Sequence, residues 1–290
     1  MKRSSSAPAR ARSDEAGDFT PAQTAARLIR IAHLSDIHFG GENAAAVAGA
    51  GAWLATHGPD VIIITGDLTT IGRPDEFRRA ASWARSLAPP VLVTPGNHDT
   101  PYLGLAERLL APFSRFEDSF GAAHGVRWSN EYLTVAGVNT ARGAQWRWNW
   151  SKGAISSGQA ERALGVLADR PAGALSVIAC HHPLVEMVGG PMTARVRGGE
   201  AAARRLCAGG VDLVLTGHIH APFAFAYPYG DGRTHAVGAG TLSLRERGTP
   251  AGFNLIEADG ETITVTAQAW TGSHFEAWRT WSLTRRPGRP

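Results

Sequence analysis

Short apolar runs end at Leu34, Ile64, Val93, Val138, Ala179 and Leu215, and most are followed by a stretch with helical spacing of apolar residues. That alternation predicts stacked βαβ units, hence an α/β fold with parallel strands. The helical spacing predicts helices over residues 44–56, 75–87, 102–120, 158–169 and 199–208, with start signals at Asn43, at Pro74-Asp75-Glu76 and at Ser157. Beyond His220 the pattern turns to strands, and "FNLIEADGETITVTAQAW" reads as a hairpin about Asp259-Gly260. Residues 274–284 fit a strand or a helix. No internal repeat at a fixed period is visible.

With 290 residues, 43% of them apolar and 19% charged, the chain is long enough to bury a sizeable core. A net charge of +4 points to nucleic acid or a membrane surface only until the charges are located. Residues 1–30 carry six Lys/Arg and three Asp/Glu, and residues 279–290 carry four Arg and no acid, which leaves 19 basic and 22 acidic residues between. The middle is slightly acidic, so the basic excess belongs to the ends and counts against nucleic acid as the partner. Cys180 and Cys207 are too few for a disulfide framework and sit in apolar stretches, which fits free thiols in a reducing, cytoplasmic setting. Residues 1–27 contain no apolar run of signal-peptide length and are expected to be a disordered basic tail. Residues 28–284 are expected to form one domain, with 285–290 a second basic tail. No stretch approaches the roughly 18 apolar residues of a membrane span.

Chemistry gathers where the apolar runs stop. "LSDIH" supplies Asp36 and His38, "IITGD" Asp67, "TPGNHD" Asn97, His98 and Asp99, "IACHHP" His181 and His182, and "LTGHIH" His218 and His220. In an open α/β sheet the carboxyl ends of parallel strands line one crevice, so these five clusters imply one site. Asp36, His38, Asp67, Asn97, His181, His218 and His220 are seven oxygen or imidazole donors, more than one octahedral ion uses once it also holds water and substrate. Two ions sharing one carboxylate account for the number. In an extended segment residues i and i+2 point to one side, so Asp36 with His38, and His218 with His220, can both reach the crevice. Gly66, Gly96 and Gly217 mark places where backbone must approach the site closely. His33, His57, His124, His235 and His274 read as caps or satisfied polar groups.

These blocks, D-x-H, G-D, G-N-H-D, H and G-H-x-H in that order from Asp36 to His220, resemble the signature of the calcineurin-like metallophosphoesterase superfamily. The resemblance implies a four-layer αββα sandwich, two mixed β-sheets flanked by helices, carrying a binuclear metal centre that hydrolyses a phosphoric ester. It places Asp36, His38, Asp67 and His220 on one ion and Asp67, Asn97, His181 and His218 on the other, with a hydroxide shared between them. It also gives His98 the role of general acid or charge stabiliser at the leaving group, with Asp99 orienting its ring. The mixed donors suit Mn, Fe, Zn or Co. Size and the H-H-P block look most like bacterial class III cyclic-nucleotide phosphodiesterases and glycerophosphodiesterase-like enzymes, so a small-molecule phosphodiester is the expected substrate. A phosphomonoesterase or protein phosphatase, a nuclease and a non-catalytic scaffold are the alternatives. For substrate contacts the candidates are His182, which either touches substrate or supports the ligand shell, Arg142 and Arg147 in the Trp-rich "ARGAQWRWNW", and Arg195 and Arg197 in "VEMVGGPMTARVRGG". The Trp-rich segment is either a lid or a packed loop. Oligomeric state is not legible.

Overall fold

The computed structural model describes residues 27–145, 149–186 and 196–287. In chain order the elements are β1 (Ile29–Leu34), α1 (Ala44–His57), β2 (Val61–Thr65), α2 (Pro74–Ser86), β3 (Val91–Thr94), α3 (Leu105–Leu110), α4 (Ser114–Phe120), β4 (Arg127–Ser129) and β5 (Leu133–Gly137). There follow α5 (Ser157–Ala168), β6 (Leu175–Ala179), α6 (Gly199–Ala208), β7 (Leu213–Thr216), β8 (Phe223–Ala226), β9 (His235–Gly238), β10 (Gly252–Ala258), β11 (Thr262–Trp270) and β12 (Phe275–Thr284). The strands form two mixed sheets, in the orders β12-β11-β10-β1-β2-β3 and β4-β5-β6-β7-β9-β8. Parallel pairing runs through β1, β2 and β3 in the first sheet and through β5, β6, β7 and β9 in the second. Antiparallel strands complete both.

The unbroken apolar runs follow from burial on both faces. In β2, Val61 and Ile63 join Ile31 and Leu92 in a core between the sheets, where they meet Val135, Val177 and Leu215 of the second sheet. Ile62 and Ile64 turn the other way, onto Leu54 of α1 and Phe77 of α2. The second sheet repeats the plan, with Ile178 and Val214 packed against Ala163 of α5 and Leu206 of α6. Three apolar layers thus separate four layers of secondary structure, helix, sheet, sheet, helix. The arrangement brings the carboxyl ends of β1, β2, β3, β6 and β7 to one edge of the sandwich.

Several local expectations are corrected. The helix expected over 102–120 is two short helices, because Pro112 interrupts it. A proline has no N–H to donate and disfavours helical geometry in the residue before it, and Ala111 accordingly sits at φ −145°, ψ 59°. The start signal of α5 is Ser156 and not Ser157. The Ser156 hydroxyl accepts from the Gln159 amide at 3.2 Å, and the Gln159 side chain accepts the Ser156 amide at 3.1 Å, a reciprocal capping box. Residues 275–284 form β12, the outer strand of the first sheet. The expected C-terminal tail is fixed at its beginning, since the Arg285 amide donates to the Glu261 carbonyl at 2.7 Å and its guanidinium to the Gly173 carbonyl at 2.6 Å. Arg286 pairs with Asp231. The expected N-terminal tail through residue 26 lies outside the described residues. Among the described residues no helix is long and apolar enough to cross a membrane.

Loss of the α5 cap has a measurable cost. Ser156→Ala lowers unfolding free energy by about 1 kcal/mol in urea denaturation, whereas Ser157→Ala, which leaves the reciprocal pair intact, moves it by less than about half of that.

Candidate metal centre

The backbone itself is unusual where the strands end. Asp36, His38, Asp67, His218 and His220 have φ between 52° and 69°, and they are the positive-φ residues other than glycine among the described residues. Left-handed backbone costs of order 1 kcal/mol or more for a residue with a Cβ, so the surrounding structure must enforce it. It also corrects the expectation of extended Asp-x-His and His-x-His segments. Each pair alternates a left-handed residue with an ordinary one, and this tight winding turns both side chains inward. Close backbone approach is needed beside it: a Cβ on Gly96 would collide with the Asp67 carboxylate, and one on Gly217 with Ser35 and the Asp36 carboxylate.

Two buried carboxylates organise the cluster. Asp36 Oδ2 accepts the His218 amide at 2.8 Å, and Asp67 Oδ1 accepts the His98 amide at 2.8 Å. The second oxygen of each faces imidazoles. Asp36 Oδ1 lies 3.1 Å from His220 Nε2 and 3.8 Å from His38 Nε2, and these two nitrogens are 3.3 Å apart. Asp67 Oδ2 lies 3.2 Å from His181 Nε2 and 3.9 Å from His38 Nε2, so it faces both groups. The His218 ring stands 5.2 Å from that of His181.

Backbone carbonyls fix the rings. His38 Nδ1 donates to the Thr69 carbonyl at 3.1 Å, His181 Nδ1 to that of Thr65 at 2.7 Å, and His220 Nδ1 to that of Arg245 at 2.8 Å. With Nδ1 committed as donor, each Nε2 is turned toward the cluster, the usual second layer of support around a metal-binding histidine. Burial pushes the His218 imidazole down to about 3 and that of His38 to about 4, so both are neutral, as metal ligation requires. His181 differs. Burial works against its charge, but the Asp67 carboxylate outweighs it and lifts the ring to about 9. Asp67 is correspondingly held well below the usual carboxylate range, His181 and His98 together overcoming the opposing effect of burial.

Whether the residues fit metal ions is answered by their unmet polar atoms. Asp36 Oδ1 and Asn97 Oδ1 are buried without a hydrogen-bond partner, a costly state that cations in the cluster would relieve. Donor atoms of Asp36, His38 and His220, of Asp36, Asp67 and His181, and of His181, His182 and His218 each lie within 4.8 Å of one another. The mixed oxygen and imidazole set can hold two divalent ions with Asp67 between them.

The remaining candidates are placed as follows. His98 is half-buried beside the cluster, its ring 4.8 Å from that of His38, and its Nδ1 donates to the Thr70 carbonyl at 2.6 Å. Asp99 does not hold that ring, which corrects the expected contact. Its carboxylate accepts from the Thr69 amide and hydroxyl, both at 2.9 Å, and from the Gly96 amide at 2.9 Å, while the Thr69 hydroxyl also contacts the His98 carbonyl at 2.9 Å. Asp99 therefore fixes the loop that carries His98. Burial, reinforced by Asp67, raises its carboxyl to about 6. His182 is buried with Nδ1 against the Thr140 hydroxyl and Nε2 against the Ser151 carbonyl, both at 2.8 Å, and its ring packs 4.6 Å from that of His218. Arg142 bonds to the Asn139 and Ala141 carbonyls and to Gln159, and lines a cavity of about 540 Å³ with Phe113, His124 and Arg162. Arg197 is exposed, its backbone paired with Gly153 and Ile155. Arg147 and Arg195 lie outside the described residues. Of the Trp-rich segment, Trp150 packs over the Arg108 guanidinium at 5.4 Å. Burial drives the Cys180 thiol up to about 12, so it is an inert core group.

Sequence reasoning missed two neighbours of the cluster. Tyr102 stacks on His98 with ring centroids 5.5 Å apart and planes 12° apart. Arg245 holds His220 through its carbonyl, and its charge acts on the Tyr102 hydroxyl. Neither belongs to a ligand motif, and Tyr102 is betrayed only by standing four residues after His98.

Two stacked mixed sheets with a bimetal-type cluster at their strand ends define the class of metal-dependent phosphoesterases. A family model, the calcineurin-like phosphoesterases, matches residues 29–222, and the chain belongs to that family. Among curated relatives it is 32% identical over 80 residues to a glycerophosphodiester phosphodiesterase, GpdQ, of Enterobacter lignolyticus, covering 24% of this chain and 29% of that protein. It is 30% identical over 85 residues to a probable cyclic nucleotide phosphodiesterase of Synechococcus sp., covering 26% and 33%. The matched segment thus spans a third or less of the length of these relatives. In fold it is similar to a dimetal phosphatase from Danio rerio (TM-score 0.64, 12% identity, 89% of this chain and 99% of that one). It is also similar to the purple acid phosphatase PPD1 of yellow lupin (TM-score 0.62, 14% identity, 90% and 54%).

The charged His181–Asp67 pair yields a prediction. A ring raised to about 9 carries a proton at pH 7, and a cation must displace it. Calorimetric Mn²⁺ titration at pH 7 in buffers of different ionisation enthalpy shows release of about one proton per protein, diminishing as pH rises through about 9. Zero release at pH 7 would place a neutral imidazole beside Asp67.

Proposed function

We propose that the chain is a metal-dependent phosphodiesterase acting on small phosphodiesters. One divalent ion is held by Asp36, His38, Asp67 and His220 and a second by Asp67, Asn97, His181 and His218. The observation that carries this reading is Asp67, whose Oδ2 faces His38 on one side and His181 on the other while its Oδ1 is fixed by the His98 amide. Bound there, a metal pair supplies Lewis-acid polarisation of phosphoryl oxygens and acidifies water at neutral pH.

The chain's own residues then complete the reaction. His98 donates Nδ1–H to the Thr70 carbonyl, so its Nε2 is the atom available to the departing ester oxygen. As the doubly protonated imidazolium it delivers the Nε2 proton, or a hydrogen bond from it, as negative charge develops on the alkoxide. Asp99 and Thr69 hold the loop in register for that step. Asp36, Asp67 and the rings of His38, His181 and His218 are buried, so bulk water does not screen the charge there. The diester preference is supported by the phosphodiesterase names of both curated relatives.

The Mn-loaded protein hydrolyses bis(p-nitrophenyl) phosphate in clear preference to p-nitrophenyl phosphate. A monoester preference would replace the diesterase reading by a phosphatase on the same centre. His98→Ala retains both ions by metal analysis yet lowers kcat by about 10²-fold. Loss of the ions together with activity would make His98 a ligand instead.

A further inference from the structure

Helix α3 is inside out. Its charged Arg108 is 7% exposed, while Leu105, Leu109 and Leu110 are 62%, 53% and 86% exposed. Just before it, Leu103 is 87% and Tyr102 46% exposed. An amphipathic surface helix ordinarily does the reverse. The inversion has a local cause. The Arg108 guanidinium donates to the Gly143 carbonyl at 2.7 Å and the Pro101 carbonyl at 3.4 Å, and lies over the rings of Tyr102 and Trp150. Turning Arg108 inward to brace this loop obliges the leucines to face outward.

The patch is continuous with the candidate centre. Tyr102 stacks on His98, and its hydroxyl, raised above its ordinary range by burial, feels the charges of Arg108, Asp67 and Arg245. Arg245 arrives from the loop after β9, and its neighbour Leu244 is 71% exposed, with its amide held by the Gly41 carbonyl at 3.0 Å. A charged centre with buried polar atoms is thus edged by aliphatic side chains, with an arginine among them. Concentrated exposed apolar surface of this kind marks a binding site. Among the described residues the exposed apolar side chains of this patch are aliphatic apart from Tyr102, which is already stacked on His98.

We propose that Tyr102, Leu103, Leu105 and Leu244 form the wall that receives an alkyl ester arm, so that the preferred substrates are amphiphilic phosphodiesters with an aliphatic chain on one side of the phosphate. The inference rests on the phosphodiesterase reading and narrows it. Leu103 and Leu105 follow Tyr102, whose ring stacks on His98, the residue proposed to meet the leaving oxygen, and the Arg245 charge acts on the Tyr102 hydroxyl from the loop after β9. The alkyl arm runs outward along α3.

The test uses Mn-loaded full-length protein and a series of alkyl methyl phosphate diesters, methyl to octyl, below their critical micelle concentrations, with departure of the alkanol followed as methyl phosphate by ³¹P NMR. The expected result is a kcat/KM that rises at least about tenfold from methyl to octyl, mainly through KM, as burial of several methylenes at about 0.8 kcal/mol each allows. In Leu103→Ser/Leu105→Ser the octyl-to-methyl ratio falls toward one, whereas the distant control Leu28→Ser keeps it. Equal kcat/KM along the series in active wild-type protein overturns the inference and leaves the phosphodiesterase reading standing. Inactivity on every diester, methyl included, with turnover of p-nitrophenyl phosphate overturns both. A chain-length effect unaltered in the double variant, with a change in its mass by light scattering, assigns the leucines to a contact between copies and overturns the inference.

Discussion

The Asp36 carboxylate joins the two halves of the molecule. It follows β1 of the first sheet, yet its Oδ2 accepts the amide of His218, which follows β7 of the second, and its Oδ1 faces His220 from the same loop. Asp67 makes the equivalent tie, reaching His98 in its own sheet and His181 in the other. A buried carboxylate is costly without partners, so these contacts are satisfied only when the strand ends of both sheets lie in one register. The apolar layer between the sheets brings them together, and the carboxylates decide how their ends align. Even so, Asp36 Oδ1 and Asn97 Oδ1 stay unmet by protein, a residual demand that cations would answer.

The same constraint explains the strained backbone. Five left-handed residues in two loops and one strand end would be an expensive way to build a turn. They are held because Gly66, Gly96 and Gly217 let chains approach closely enough for amides to reach carboxylates. Strain, glycine contacts and carboxylate bonds form one arrangement. A site built this way is rigid at its centre, since moving any one group releases a buried charge or a strained torsion.

Much of this was legible in the chain. The apolar runs mark the strands because both faces of each are buried, and the five blocks at their ends come together because parallel strands deliver their carboxyl ends to one edge. What was not legible depended on geometry that residue types do not encode. Pro112 had to be weighed against a long helical pattern, and β12 carries a mixed face that periodicity could not resolve. The carbonyls of Thr65, Thr69 and Arg245 that hold the rings carry no side-chain signature. Asp99 was expected to hold the His98 ring because the two are adjacent in a motif. Its carboxylate in fact meets Thr69 and Gly96, since consecutive residues in a tight loop point apart.

The centre and its rim obey different physics, which decides where specificity can vary. The ligand cluster is tied through both sheets by buried charge. The rim is tied more lightly: Tyr102 by one amide bond to the Ile71 carbonyl and its stack on His98, Arg108 by two carbonyls and two rings. The exposed leucines on α3 lie outside the buried core, so their replacement leaves the carboxylates beneath undisturbed. In the proposed arrangement, conserving the reaction and changing the substrate are separable. The motif residues carry the cluster and a short, irregular segment outside them carries its aliphatic rim, which is why the first is read easily from sequence and the second only from the fold.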